Sequence, residues 1–350
     1  MIDLGIWLPI FGGWLRNVED EGMAPTFDYN KRVAQAADEG GFSTILIPEL
    51  NLNDIEGPTA PSLECWTTTA GLAPVTDDIR LMSAIRPGFR QPAVTAKMAA
   101  NIDRMSGGRF ELNLVSAWWE EEMKMYAGHW LDHDTRYDRS REFVQIMKGV
   151  WENDTFSFDG DFYTVEGTVL EPKPVQGSIP VYAGGGSEEG RTMIANYCDH
   201  YLMHGGSVDK IAGDIEDMRE RRAAAGGDPD AMEFGMAAYV ICRDTEEEAQ
   251  AELDRITTVD PQAEGFDSYE EFVEHSELDS EVDLKDYSVS NRGLRPDLVG
   301  TPEQITEKLR AYADVGLDLV LLQCSPMLEE VQRIGRDLIP KLDEADVAAR

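Results

Sequence analysis

The chain is poor in lysine and has no long apolar run. Of its 350 residues only nine are Lys, and 67 acidic residues against 31 basic ones leave a formal charge of -36. A field of that sign repels nucleic acid and anionic membranes, so neither is a default partner. No stretch of about 18 apolar residues occurs, which excludes a membrane-spanning helix. The four cysteines, Cys65, Cys198, Cys242 and Cys324, lack CxxC spacing, and three lie in or beside apolar segments. They read as buried free thiols rather than redox or metal centres. HExxH is absent and no GxGxxG follows the first apolar run, which weakens a dinucleotide-binding fold.

The opening MIDLGIWLPIFGG has no basic n-region and no small-residue cleavage site, so it reads as a first strand and the protein is expected in the cytoplasm. Acidity is spread along the whole chain while apolar periodicity stays intact, which argues against disorder. A folded chain that tolerates such self-repulsion suits concentrated salt, where charges are screened within about 3 Å at 1 M. A halophilic setting is therefore expected.

With 42% hydrophobic residues there is material for a large core. Short apolar runs recur at 4–10, 43–49, 79–85, 110–116, 179–184, 199–205, 233–243 and 317–323. Between them lie amphipathic stretches such as QPAVTAKMAANIDRMSGG and TPEQITEKLRAYADVG, which open on Pro or Thr and end on Gly. Eight strands alternating with helices predict an α/β fold, a parallel (β/α)8 TIM barrel forming one domain over 1–350. A doubly wound open sheet is the alternative. Two segments break the alternation: TFSFDGDFYTVEG (155–167) reads as an inserted β-hairpin, and the acidic stretch 257–298 as a lid insertion before the last βα unit.

Function in a barrel sits at the C-terminal ends of the strands. Those positions here are mostly amide, aromatic and small, with no carboxylate pair for glycoside hydrolysis and no Ser-His-Asp set. That inventory suits gripping a planar organic cofactor. VYAGGGSEEGRTMIA (181–195) places three glycines and Ser187 between a strand and a helix start, where free N–H groups and the dipole accept an anion, read here as a phosphate; a plain tight turn is the other reading. In GHWLDHDTRYDR, His129 and His133 have i, i+4 spacing, yet no third ligand is evident and no metal is expected. Arg136 and Tyr137 offer a cation and a hydroxyl to an anion, or a helix-start salt bridge.

The strings LAPVTDDIRL, AKMAANIDRMSGGRFELNLVSAWW, HWLDHDTRYDRSREFVQIMKGVW, FSFDGDFY, LEPKPVQ, AGGGS, LVGTPEQI and LDLVLL, in order over about 4–340, resemble the bacterial luciferase-like flavin monooxygenases. HWLDHDTRY, FDGDFY and LVGTP resemble its two-component, FMNH2-dependent branch acting on small organosulfur compounds, of the dimethyl sulfone and alkanesulfonate type. The resemblance implies reduced FMN at the C-terminal face, supplied by a separate NAD(P)H:flavin reductase, O2 acting through a C4a-peroxyflavin, and a homodimer or homotetramer. By match to family positions, Gly185, Gly186, Ser187, Arg136 and Tyr137 would hold the FMN phosphate, and Asn113, Ser116 and Glu122 would contact the flavin. Arg295 is expected to close over the flavin, or to be a solvated lid charge; His204 would be an acid or base, or a packing histidine; Tyr239 is expected to be catalytic with them. Where alkanesulfonate monooxygenases carry an arginine and a histidine on the seventh strand, Ala237 and Tyr239 stand here, which implies a neutral or smaller substrate. The same superfamily contains F420-dependent hydride-transfer enzymes, and a non-catalytic flavin-binding barrel is the third reading.

Overall fold

A computed structural model describes residues 2–116, 119–258, 288–290 and 293–342. Its strands are β1 (Asp3–Trp7), β2 (Thr44–Ile47), β3 (Arg80–Ile85), β4 (Phe110–Leu114), β5 (Phe156–Asp159), β6 (Thr164–Thr168), β7 (Val181–Ala183), β8 (His200–Met203), β9 (Phe234–Cys242), β10 (Leu298–Gly300) and β11 (Leu319–Gln323). The helices are α1 (Phe27–Glu39), α2 (Cys65–Leu72), α3 (Pro92–Met105), α4 (Glu120–Ala127), α5 (His133–Glu152), α6 (Glu188–Tyr197), α7 (Val208–Ala224), α8 (Glu246–Thr257), α9 (Pro302–Asp314) and α10 (Met327–Asp337).

Parallel pairing runs β9-β11-β1-β2-β3-β4-β7-β8 and closes through β8 to β9, so the eight expected runs form one closed barrel. These strands are buried on both faces, which is why they read as continuous apolar runs without alternation. Inside the barrel, Leu46, Met82, Tyr182, Leu202, Leu319 and Leu321 form a core of their own, with Trp7 packed on it. Each fully buried leucine there stabilises the fold by roughly 1.5–3 kcal/mol. A much larger cluster fills the layer between strands and helices.

The expected hairpin is present as the antiparallel pair β5–β6. Most of the predicted lid, 259–287 and 291–292 with Arg292, lies outside the described residues. Its C-terminal end is described: Leu15 bridges Val289, and Ser290 N donates to Trp14 O at 2.9 Å, so this end is stitched to the loop after β1. No helix among the described residues is long and apolar enough to cross a membrane. All four cysteines are buried and unpaired, and burial pushes the Cys198 and Cys242 thiols up to about 12.

Candidate active site at the barrel mouth

The glycine run leaves the barrel at the end of β7 and enters α6. Ser187 caps that helix: its backbone is extended and its Oγ accepts from Gly190 N at 3.1 Å. The carbonyls of this turn are held from beneath, by Tyr201 Oη on Gly185 O at 2.9 Å and by Arg191 Nε on Gly186 O at 3.0 Å. The helix amides are thereby left at the positive end of the dipole.

α5 brings its first turn to the same place. Asp132 caps it by accepting from Thr135 N at 3.1 Å, so the helix begins at His133 and carries Arg136 and Tyr137 on its first two turns. Tyr137 lies against the glycines: a Cβ on Gly185 would come within 2.8 Å of its Oη, and one on Gly190 within 2.9 Å. Its ring also meets His133 edge-on at 5.1 Å, and the Arg136 guanidinium lies 4.2 Å over Trp130. Glu188, the first residue of α6, is neutralised by two Arg221 contacts of 2.7 Å.

The same cap separates the two histidines. His129 precedes the helix, so the i, i+4 spacing does not set it beside His133 on one face; its ring nitrogens go to Ala127 O and Arg139, both at 2.9 Å. His133 instead lies with Asp134 and Glu189, whose two acids are exposed.

Strand alternation aims Asn113 and Gln323 into the barrel, because Glu111 with Arg80, and Leu319 with Leu321, face inward on the same strands. Asn113 is 5% and Gln323 0% exposed. Asn113 Oδ1 and both amide atoms of Gln323 have no hydrogen-bond partner among the described residues, nor do the indole N–H groups of Trp7 and Trp14. A buried polar group costs about 1–3 kcal/mol when unpaired. This layer therefore suits a flat ligand that offers donors and acceptors around its edge.

Two residues expected to touch the cofactor have protein partners. Glu122 is fully buried; its carboxylate pairs with Arg86 and accepts from Asn51 N at 2.5 Å. Arg86 N in turn donates to Glu49 at 2.6 Å, so Glu122 ties the exits of β2 and β3 to α4. Ser116 Oγ is 2.9 Å from Ser140 Oγ, which bonds Arg136 O at 2.9 Å; Ser116 thus braces the first turns of α5.

The remaining named residues ring the mouth. His204 is exposed at the exit of β8. Tyr239 is fully buried, its N donating to Gly293 O at 2.7 Å, and burial, with Glu21 nearby, holds its phenol far above the usual range. Pro296 lies directly on Gly205, and Tyr312 Oη donates to Gly206 O at 2.7 Å and Pro296 O at 3.3 Å. Half-buried Arg295 is thereby fixed in a turn over the ends of β8 and β9.

Sequence reasoning passed over Glu21. Its Oε1 accepts from Trp14 N at 2.6 Å and Leu15 N at 2.8 Å, Oε2 is buried without a hydrogen-bond partner, and the Ser325 side chain lies beside it. Burial pushes this carboxyl up to about 7. Nothing in the string VEDEGM distinguishes it from the many surface acids. Gln323 did carry a signal, being the polar residue at an inward position of LDLVLLQ.

A closed parallel barrel with an anion-suited helix start and an amide-lined interior at its C-terminal face defines a (β/α)8 barrel built to bind a ligand there. The luciferase-like monooxygenase family model matches residues 2–319, and the chain belongs to that family. It is 35% identical to the FMNH(2)-dependent dimethylsulfone monooxygenase of Pseudomonas putida, covering 100% of this chain and 97% of that one. Among solved structures, long-chain alkane monooxygenase superposes with a TM-score of 0.82 at 16% identity, covering 99% and 92% of the two chains. An F420-dependent secondary alcohol dehydrogenase gives 0.73 at 19% identity, covering 97% and 99%. These two structural likenesses concern the fold.

Proposed function

We propose that the protein is the oxygenase component of a two-component system: it takes reduced FMN from a separate NAD(P)H:flavin reductase and uses O2 to oxidise a small organosulfur compound, dimethyl sulfone or a short alkanesulfonate. The observation that carries this reading is the gathering of Tyr137 and Ser187 around Gly185 at the exit of β7, in a chain similar from end to end to an FMNH(2)-dependent relative.

The residues fit the cofactor. Ser187, the amides of Gly185 and Gly186, Arg136 and Tyr137 would hold its phosphate, with the dipole of α6 in support. The buried amides of Asn113 and Gln323 would pair with the polar edge of its ring. Ser116 and Glu122 would act at one remove, by fixing Arg136 and Arg86. Reduced FMN, when bound, supplies the electrons that activate O2. The protein's own part is to exclude water and orient the substrate beside the ring. Ala237 offers no charge to a sulfonate, and Tyr239 stays neutral at physiological pH, which favours an uncharged substrate such as a sulfone. Arg295 would stabilise negative charge that develops at the mouth, and His204 would exchange protons there.

Anaerobic titration with FMNH2 and, separately, with reduced F420, followed by O2 and a panel of sulfones, sulfonates and pyrimidines, tests the reading. FMNH2 binding and O2-dependent loss of a sulfone are expected. Hydride transfer from F420 without O2 uptake would replace the monooxygenase reading, and flavin binding without turnover of any compound would leave a non-catalytic barrel.

A further inference from the structure

Acids outnumber bases two to one in this chain, yet Arg139 on α5 makes no ion pair among the described residues. It is 5% exposed. Arg86, 1% exposed, shows the usual arrangement, with Glu122 as its counter-ion. The side-chain hydrogen bond of Arg139 runs from Nη1 to His129 Nε2 at 2.9 Å, and its Nε is buried without a partner. A guanidinium only donates, so His129 Nε2 accepts and its proton sits on Nδ1, facing Ala127 O at 2.9 Å. His129 is therefore neutral and compensates nothing. Burial, with Arg136 adding repulsion, holds the Arg139 guanidinium below its ordinary range. Burying a cation without a counter-charge costs several kcal/mol.

The guanidinium borders a cleft of about 490 Å³ between the exit of β3, the start of α5 and the β5–β6 hairpin. Gly88 makes room for it: a Cβ there would sit 2.8 Å from Arg139 Nη2. Tyr163 also lines the cleft, donating its Oη to Pro87 O at 2.9 Å; burial pushes its phenol up to about 12, so it supplies no negative charge. The other arginine of the cleft, Arg90, is already held by Glu49 and by Glu64. Two residues beyond Tyr137, Arg139 points about 200° round the helix from the glycine turn, so this cleft is separate from the phosphate cradle.

We propose that this cleft is a binding site for a small oxyanion, held side-on by Nε and Nη2 of Arg139 in the two-point geometry a guanidinium offers to carboxylate, sulfinate or sulfate. One available cation limits the site to small ions of low charge; a nucleotide or polyphosphate would need more. The proposal stands whether or not the barrel mouth binds FMN.

The test uses the full chain with FMN in excess, so that the glycine turn is not available to the probe. Calorimetric titration with sodium sulfate and with sodium acetate, against sodium chloride at matched ionic strength, should show one saturable ion per chain. Arg139→Met should weaken it at least tenfold, and Gly88→Ala, which displaces the guanidinium, should weaken it as well. Selenate soaked into wild-type crystals should give an anomalous peak beside Arg139 Nε, a result that does not depend on either variant folding. No saturable uptake by the wild-type chain, equal affinity in a folded Arg139→Met, or selenate found elsewhere but not at Arg139 each overturns the proposal.

Discussion

The phenolic oxygen of Tyr137 rests where a side chain on Gly185 would have to be, 2.8 Å from the position of its Cβ. The glycine at the exit of β7 is thus needed for close approach, since its φ is not in the left-handed region. Gly185→Ala should move the phenol and weaken FMN binding about tenfold or more, equivalent to ~1.4 kcal/mol, with little change in melting temperature. Flavin fluorescence quenching measures this, and wild-type affinity in the variant would separate Tyr137 from the cofactor.

Ser187→Ala and Arg136→Ala should each weaken FMN by about 1–3 kcal/mol, the range for hydrogen bonds to a charged group. Ser187 also caps α6, so its removal should lower stability by ~1 kcal/mol. Arg136→Ala removes no cap. If both variants bind FMN like wild type, the phosphate lies elsewhere.

Arg295 sits in a turn pinned by Pro296 on Gly205 and by Gly293 against Tyr239. Arg295→Ala should leave FMN affinity near wild type while product formation falls. Steady-state turnover with reduced flavin supplied in excess is the measurement; undiminished turnover removes Arg295 from the reaction.

Glu21 gives a pH signature. Folded, its carboxyl holds a proton up to about 7; unfolded, it releases the proton near its ordinary value of 4.5. The folded state therefore binds more protons between those values, and stability falls as pH rises through that window. Glu21→Gln removes this loss, so relative to wild type it should gain about 1–2 kcal/mol between pH 5 and pH 8, less than the full linkage because Glu21 keeps part of its surface in water. Denaturant unfolding at the two pH values decides: an equal effect at both means the carboxyl titrates normally.

The charge of -36 predicts a strong salt response. Thermal unfolding should move upward from dilute buffer to about 1 M NaCl, where the screening length shrinks to ~3 Å. Equal stability in dilute buffer would contradict adaptation to salt.

Much of the barrel was legible in the chain, because each parallel strand is buried on both faces and so appears as a dense apolar run. Thr301 and Gln304, which form a reciprocal cap on α9, and Gly-terminated helices marked the boundaries. The start of α5 was not marked in this way: Asp132 caps it at His133, which leaves His129 outside the helix.

The amino-acid order by itself determined the alternation of strands and helices, the inserted hairpin and the glycine–serine turn, since all depend on neighbours within a few positions. Tertiary structure decided the rest. Arg86 meets Glu122 across 36 residues, and Glu21 acquires its high affinity for a proton from walls built by other segments. Among the described residues Arg139 pairs with no carboxylate, in a chain full of carboxylates. Burial and charge balance are properties of packed space, so no local pattern in the chain announces them.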